Sequence, residues 1–318
     1  MNNSYLPEGL LINTHENREY LSSLSSLERA MNEGKILEST VLLCDNKMRL
    51  HVDLYGTEGI IEREETLYSP DGAKIKDIAV ITRVGKPVCF KVVSIDYSGA
   101  KPIVYLSRRA AQIECMREFI DKLSPGDIIR ARICHLESFG AFVDIGCGIT
   151  SLCSVDCISV SRISHPRDRL TVGEYVFTVV KIKEADTGRI FVSMRELLGT
   201  WEENAALFEA GQTVAGIIRS VEDYGVFVEL APNLAGLAEV RDGNREKLIQ
   251  SIGQYAAVYI KSIIPERMKI KLVLIDSYKG EPPTKELKYF IDVKNTEHLD
   301  TWRYSPQAST KLVETVFK

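Results

Sequence analysis

What the chain lacks argues first against several functions. No apolar run approaches the length of a membrane span, and no apolar leader opens the sequence, so neither a membrane-embedded nor a secreted protein is expected. There is no glycine-rich phosphate loop, no His-Glu-x-x-His and no Ser, His and Asp arrangement. The five histidines (His15, His51, His135, His165, His298) are scattered. An enzyme is therefore not expected, and no cofactor is implied. An excess of basic charge is missing too: 40 Lys and Arg stand against 44 Asp and Glu. That balance argues against tight nonspecific binding to duplex nucleic acid, which depends on neutralising phosphates. Seven cysteines, an odd and scattered set, fit a reducing cytosol. Only Cys147, Cys153 and Cys157 cluster. Their spacing matches no zinc knuckle, and His165 is the only nearby fourth ligand, so they read as buried or loop thiols and no metal is assigned.

The composition that remains is that of an ordinary globular chain, 45% hydrophobic and 26% charged over 318 residues, with room for two or three domains. Its organising stretch is Gly126 to Arg195. Short runs rich in Val, Ile and Phe are broken there by glycine or Asp-Thr-Gly, which reads as a small all-β unit with tight turns. Some seventy residues in about five strands suit a closed barrel without an open sheet edge. Within it, Phe139 and Phe142 have opposite parity, so a regular strand would place them on opposite faces. A bulge at Gly140 would bring both rings to the outer face as a stacking platform for bases. Otherwise one or both are core.

The same text recurs. Gly211 to Val273 contains Tyr224-Gly225-Val226-Phe227-Val228-Glu229 where the earlier stretch has Phe139-Gly140-Ala141-Phe142-Val143-Asp144. A repeated supersecondary unit argues that each copy folds as a unit. A core needs apolar residues of any kind, so keeping ring-Gly-x-ring in both copies favours the surface reading. Asp144 recurring as Glu229 reads as hairpin solvation, not as half of a metal pair with Asp186. Both copies are near charge balance, nine basic against eight acidic residues in 126–195 and eight against seven in 211–275, so binding would lean on stacking more than on charge.

These stretches resemble the S1-type RNA-binding domain, the oligonucleotide-binding (OB) barrel repeated in the bacterial ribosomal protein S1 family. The likeness is carried by Phe139 to Asp144, Leu152, Gly173-Glu174-Tyr175-Val176 and Gly188-Arg189-Ile190-Phe191-Val192-Ser193. In the second copy it is carried by Tyr224 to Glu229, Gly236-Leu237 and Lys269-Ile270-Lys271-Leu272. The resemblance implies an RNA face with two rings, a His at the end of the third strand, and an Asp and Arg near the last hairpin. Phe139 and Phe142 match the rings, Arg189 the Arg, and Asp186 is the nearest Asp, at imperfect spacing. Ser154 stands at the His position. In the later copy Tyr224 and Phe227 match the rings, Glu239 takes the His position and Lys269 stands for Arg.

In chain order, residues 1–33 read as a loose start followed by an amphipathic helix over Glu16 to Asn32, with Gly34 as its C-cap. Residues 34–109 form a degenerate third copy, with Lys47 and Leu50 at the ring positions and Glu62 at the His position. Without a stacking pair it is not expected to bind bases, and the resemblance implies docking to the small ribosomal subunit through residues 1–109. Helices over 108–123 and 195–210 link the copies at 124–195 and 211–275, with Trp201 packing against a barrel. Residues 276–318 form a small extension: a break at Gly280-Glu281-Pro282-Pro283, a strand over 287–293 and a short helix with Leu312/Val316 and Val313/Phe317 at i, i+4. Trp302, Arg303 and Tyr304 either pack or make another base platform.

The expected architecture is thus all-β: tandem OB-fold, S1-type five-stranded barrels joined by short helices, with an N-terminal helix and a small α/β C-terminal extension. The expected function is binding of single-stranded RNA such as mRNA in the cytoplasm, in translation, through Phe139, Phe142, Ser154, Asp186, Arg189, Tyr224, Phe227 and Lys269. The alternative is a protein-interaction scaffold whose barrels dock without binding RNA.

Overall fold

In the computed structural model, which describes residues 5–69, 72–239, 245–278 and 287–318, the first fifteen strands close into three barrels. The first is built from β1 (Leu37–Cys44), β2 (Leu50–Asp53), β3 (Glu58–Ile61), β4 (Pro87–Asp96) and β5 (Ile103–Ser107). The second uses β6 (Ile128–Glu137), β7 (Gly140–Asp144), β8 (Thr150–Ser154), β9 (Tyr175–Lys183) and β10 (Ile190–Ser193). The third uses β11 (Thr213–Glu222), β12 (Gly225–Ala231), β13 (Leu234–Ala238), β14 (Tyr255–Ile264) and β15 (Lys269–Tyr278). All three have the same circular order: strands one, two, three, five and four of each copy, closed by one parallel pair between strands three and five. The architecture is the tandem OB-type array that the repeats predict. Period-two alternation drives it. On β7, Ala141 and Val143 are fully buried, as Val226 and Val228 are on β12 and Ile270 and Leu272 on β15. Burial of each such valine, isoleucine or leucine is worth roughly 1.5–3 kcal/mol.

By contact density the described residues fall into two compact units. One holds those up to Leu123 with Arg130–Arg132 and Asp144–Thr150. The other holds Ser124–Ile129, Ile133–Val143 and those from Ser151 onward. Among the described residues no helix is long and apolar enough to cross a membrane.

In the first unit, the helix expected over Glu16 to Asn32 is two helices, α1 (His15–Leu21) and α2 (Leu24–Glu33). The Ser23 side chain accepts the Ser26 N–H and restarts the helix after Ser22. Gly34 caps α2 at φ 64°, as its position predicts. Tyr20, Leu21, Leu27 and Ala30 enter the first barrel's core. Residues 5–13, expected to be loose, are pinned instead, and Met1–Ser4 lie outside the described residues. Leu11 and Ile12 donate backbone N–H bonds to the buried Glu38 carboxylate at 2.8 Å, and Gly9 donates a third. The Glu8 carboxylate accepts from Arg108 Nε at 2.6 Å, both side chains being almost fully enclosed. This order follows from unpaired polar groups, whose burial costs energy unless each finds a partner. Hydrophobic periodicity does not register it. A short α3 (Asp77–Ile81) lies between β3 and β4. After β5, α4 (Arg108–Glu118) forms the first expected linker helix, capped by the Ser107 hydroxyl.

The second unit contains α5 (Val155–Ile158), after β8. The second linker is shorter than expected: a 3-10 turn over Arg195–Leu197, a break at Gly199 with φ 85°, then α6 (Trp201–Ala205) started by a Thr200/Glu203 capping box. Trp201 packs in the third barrel's core, as expected of it. The C-terminal extension differs from the α/β expectation. Residues 287–293 are irregular, and the expected helix is instead β17 (Glu314–Val316), paired antiparallel with β16 (Thr301–Arg303). The i, i+4 pattern at its end was outweighed by tertiary packing: Trp302, Tyr304 and Val313 all join the third barrel's core. Trp302 and Tyr304, 6% and 7% exposed, are therefore packing residues with no ring surface left for a base. The expected break at Gly280 to Pro283 lies outside the described residues.

Candidate nucleic-acid interface

The two ring pairs sit on equivalent hairpins. In the third barrel, Glu222 pairs with Gly225 and closes a two-residue turn, Asp223-Tyr224. Tyr224 is 65% exposed at that turn. Phe227 lies on β12 between the inward Val226 and Val228, so it points outward. The rings meet edge to face, centroids 6.2 Å apart at 90°. The second barrel repeats this: Phe139 is in the β6–β7 turn and 54% exposed, Phe142 faces out between Ala141 and Val143, and the centroids are 6.0 Å apart at 89°. A bulge at Gly140 is not what unites them. Phe139 is a turn residue, so strand parity does not apply to it. In the third barrel the register shift falls on the opposite strand, between Ile218 and Ser220.

The recurrence of this glycine in both copies has a steric cause. A Cβ on Gly140 would lie 2.5 Å from the Cys153 carbonyl oxygen. One on Gly225 would lie 2.6 Å from Leu237 Cδ1 and 2.8 Å from the Ala238 carbonyl oxygen. Only a residue without a side chain lets the third strand pass that close.

Register extends each platform into a row. Across the third barrel, Phe227 pairs with Leu237, Leu237 with Lys271, and Ser220 flanks Phe227 on the other side. In the second barrel the corresponding strands bring Leu152 opposite Phe191 and Phe191 opposite Ile182. Leu152, Phe191, Leu237 and Lys271 lie in these rows beyond the site residues the sequence points to. The alternation in Arg-Ile-Phe-Val and Lys-Ile-Lys-Leu, with inward Ile and Val or Leu, was the available signal.

Among the described residues the first barrel carries no outward ring pair on this hairpin. Its alignment needs one correction: Leu50 is fully buried in the core and Lys47 is in a turn, so the outward position on β2 is His51. His51 pairs with Ile60 in the ladder, and its ring is held between Glu58 at 2.7 Å and Asp45 at 3.3 Å.

The remaining expected site residues lie at strand ends and turns of the two barrels. Ser154 ends β8, its Cα 2.9 Å from where a Cβ on Gly140 would sit, hence opposite the glycine between the two rings. Glu239 follows Ala238, the partner of Val226, and is exposed. Arg189 is exposed immediately before β10, two residues from Phe191, and Asp186 is exposed in the preceding turn. That turn is ordered by Thr187, whose hydroxyl donates to Glu184 at 2.6 Å. Lys269 is exposed at the start of β15, opposite Ile264 and two residues short of Lys271.

Asp144 and Glu229 do not solvate hairpins; both are buried. Asp144 accepts backbone N–H bonds from Glu8 at 2.7 Å, Gly146 at 2.8 Å and Gly148 at 3.0 Å, and burial pushes its carboxyl up to about 7. Glu229 is gripped by Arg169 through both oxygens, at 2.7 and 2.9 Å, and by Arg219 Nε at 2.7 Å. Burial alone would raise the Glu229 carboxyl, but the two guanidiniums outweigh it and hold it below its ordinary value. Among the described residues no group of three His, Cys, Asp or Glu side chains is placed to hold a metal ion.

Closed five-stranded barrels with this strand order, two of them carrying an outward ring pair, define a tandem OB-barrel protein. Residues 122–195 match the S1 RNA binding domain family. The chain is 33% identical over 257 residues to the small ribosomal subunit protein bS1 of Leuconostoc lactis, covering 76% of this chain and 56% of that protein. It is 27% identical over 281 residues to that of Rhizobium meliloti (strain 1021), covering 85% and 47%. The chain is an S1-family protein, and it spans about half the length of these two relatives. A multidomain protein with nucleic acid binding domains from Streptococcus pneumoniae TIGR4 aligns over 76% of this chain and 73% of that one, at 14% identity and a TM-score of 0.24.

Proposed function

We propose that the chain binds single-stranded RNA on its second and third barrels and serves translation in the cytoplasm, with mRNA as the ligand. One observation carries this: two barrels present the same edge-to-face ring pair, one ring on a hairpin turn and one on the adjoining strand, with the inward neighbours sealed in the core. Rings held outward by buried neighbours are stacking surfaces that cost nothing to expose at binding, and each stacked base is worth roughly 1–3 kcal/mol. Arg189 and Lys269 would meet phosphates, with Lys271 beside Lys269. Ser154 and Asp186 would contribute hydrogen bonds at the edges of the second platform. The family relatives are small ribosomal subunit proteins, which supports a ribosomal partner, and the ringless first barrel with the segment before it, residues 1–109, is the part we assign to that contact.

The test is a titration of fluorescently labelled single-stranded RNA with the full chain at two salt concentrations. The wild type should bind with a shallow salt dependence. The Phe139→Ala/Phe142→Ala double variant should lose at least about 2 kcal/mol, some thirtyfold in affinity. Wild-type protein that binds no RNA, or a double variant that binds unchanged, would leave a docking scaffold as the better description.

A further inference from the structure

The second barrel holds a third ring beside its two phenylalanines. His135 lies on β6, and its imidazole faces the Phe142 ring, centroids 6.5 Å apart and planes only 27° from parallel. The side chain is 62% exposed and its Nε2 sits 2.6 Å from Glu137 Oε1, which fixes the ring over the platform. Its position follows from the hairpin. Counting back from Glu137 and Glu222, the residues that end β6 and β11, His135 and Ser220 are equivalent, and Ser220 is the direct cross-strand partner of Phe227. The place opposite the outward residue of the second strand is Leu43 in the first barrel, facing His51, then His135 in the second and Ser220 in the third. Only the second barrel fills it with a ring.

We infer that His135 is a third base-contacting ring of the second barrel, completing from the first strand a platform whose third-strand position holds only Ser154. This rests on the RNA reading and adds a ranking to it: the second barrel takes more bases by stacking than the third and is the principal site. Phe139, Phe142 and His135 form a continuous surface in which Phe142 meets one neighbour edge-on and the other nearly flat. A planar imidazole beside a phenyl face offers the same kind of surface to a base that the phenyl does, while Ser220 offers none.

The probe is a ten-nucleotide oligouridine, labelled with fluorescein for affinity and carrying a central 2-aminopurine for stacking. It is titrated into the full-length chain and its His135→Ala, His135→Phe and Phe142→Ala variants. His135→Ala should weaken binding about five- to tenfold and relieve part of the 2-aminopurine quench. His135→Phe should restore affinity to within about twofold, and restore the quench, because the ring and not the imidazole hydrogen bond makes the contact. Unchanged affinity in His135→Ala beside a clear loss in Phe142→Ala would overturn this assignment and leave the RNA reading standing. His135→Phe as weak as His135→Ala would also overturn it. Absence of binding by the wild type would remove both. Since His135 is exposed, thermal midpoints equal to wild type are expected for its variants.

Discussion

The Tyr224 ring meets the Phe227 ring edge to face at 6.2 Å, although one belongs to a turn and the other to a strand. That junction lets side chains three residues apart share one surface. Tyr224→Ala/Phe227→Ala should therefore weaken oligouridine binding about tenfold, and less than Phe139→Ala/Phe142→Ala does, because the second barrel adds Phe191 and Ile182 to its row. Fluorescence anisotropy compares the two double variants. An equal or larger loss in the third barrel would refute the ranking.

Lys271 occupies on β15 the place that Phe191 holds on β10, each paired with the outward leucine of the third strand. A lysine there contributes through phosphate and so through counterion release. Lys271→Ala should lower the slope of log affinity against log salt by about 0.7. Phe191→Ala should leave that slope unchanged while lowering affinity at every salt concentration.

Glu229 stands between two guanidiniums, those of Arg169 and Arg219, each 8% exposed or less. Removing the carboxylate strands buried positive charge, so Glu229→Ala should destabilise the fold by about 3–5 kcal/mol in chemical denaturation. Its folded carboxyl is held below the ordinary value. The stability it supplies is thus present above the unfolded value and lost as the pH falls through the folded one, on the acid limb only.

Glu38 gives the opposite sign. Burial pushes its carboxyl up to about 7 from an ordinary 4.5, so the native state keeps a proton that the unfolded chain releases. Its contribution is full below the unfolded value and is lost as pH rises through 7, by roughly 2–3 kcal/mol. Between pH 5 and pH 8 the thermal midpoint of the wild type should fall more than that of Glu38→Gln, which keeps an oxygen for the N–H groups of Leu11 and Ile12. Equal falls would show that the carboxyl does not titrate in this range.

The barrel strands and their repeat needed only the sequence. Period-two alternation around Ala141 and Val143, and again around Val226 and Val228, states which side chains face inward, and repetition of ring-Gly-x-ring marks the rings as something other than core. These are local facts, set by the pleat and by adjacent residues. What needed the folded chain was every relation across strands or across sequence distance. Leu152 and Phe191 become neighbours through a parallel pairing that closes the barrel, and His135 meets Phe142 only because β6 and β7 are hydrogen-bonded neighbours. Glu229 turns inward to Arg169 and Arg219 because a buried carboxylate must find its counter-charge wherever the chain provides it. Glu314–Val316 become a strand where the spacing suggests a helix, since a tail too small to bury its own core takes the conformation that seats Trp302 and Val313 in the core of the third barrel.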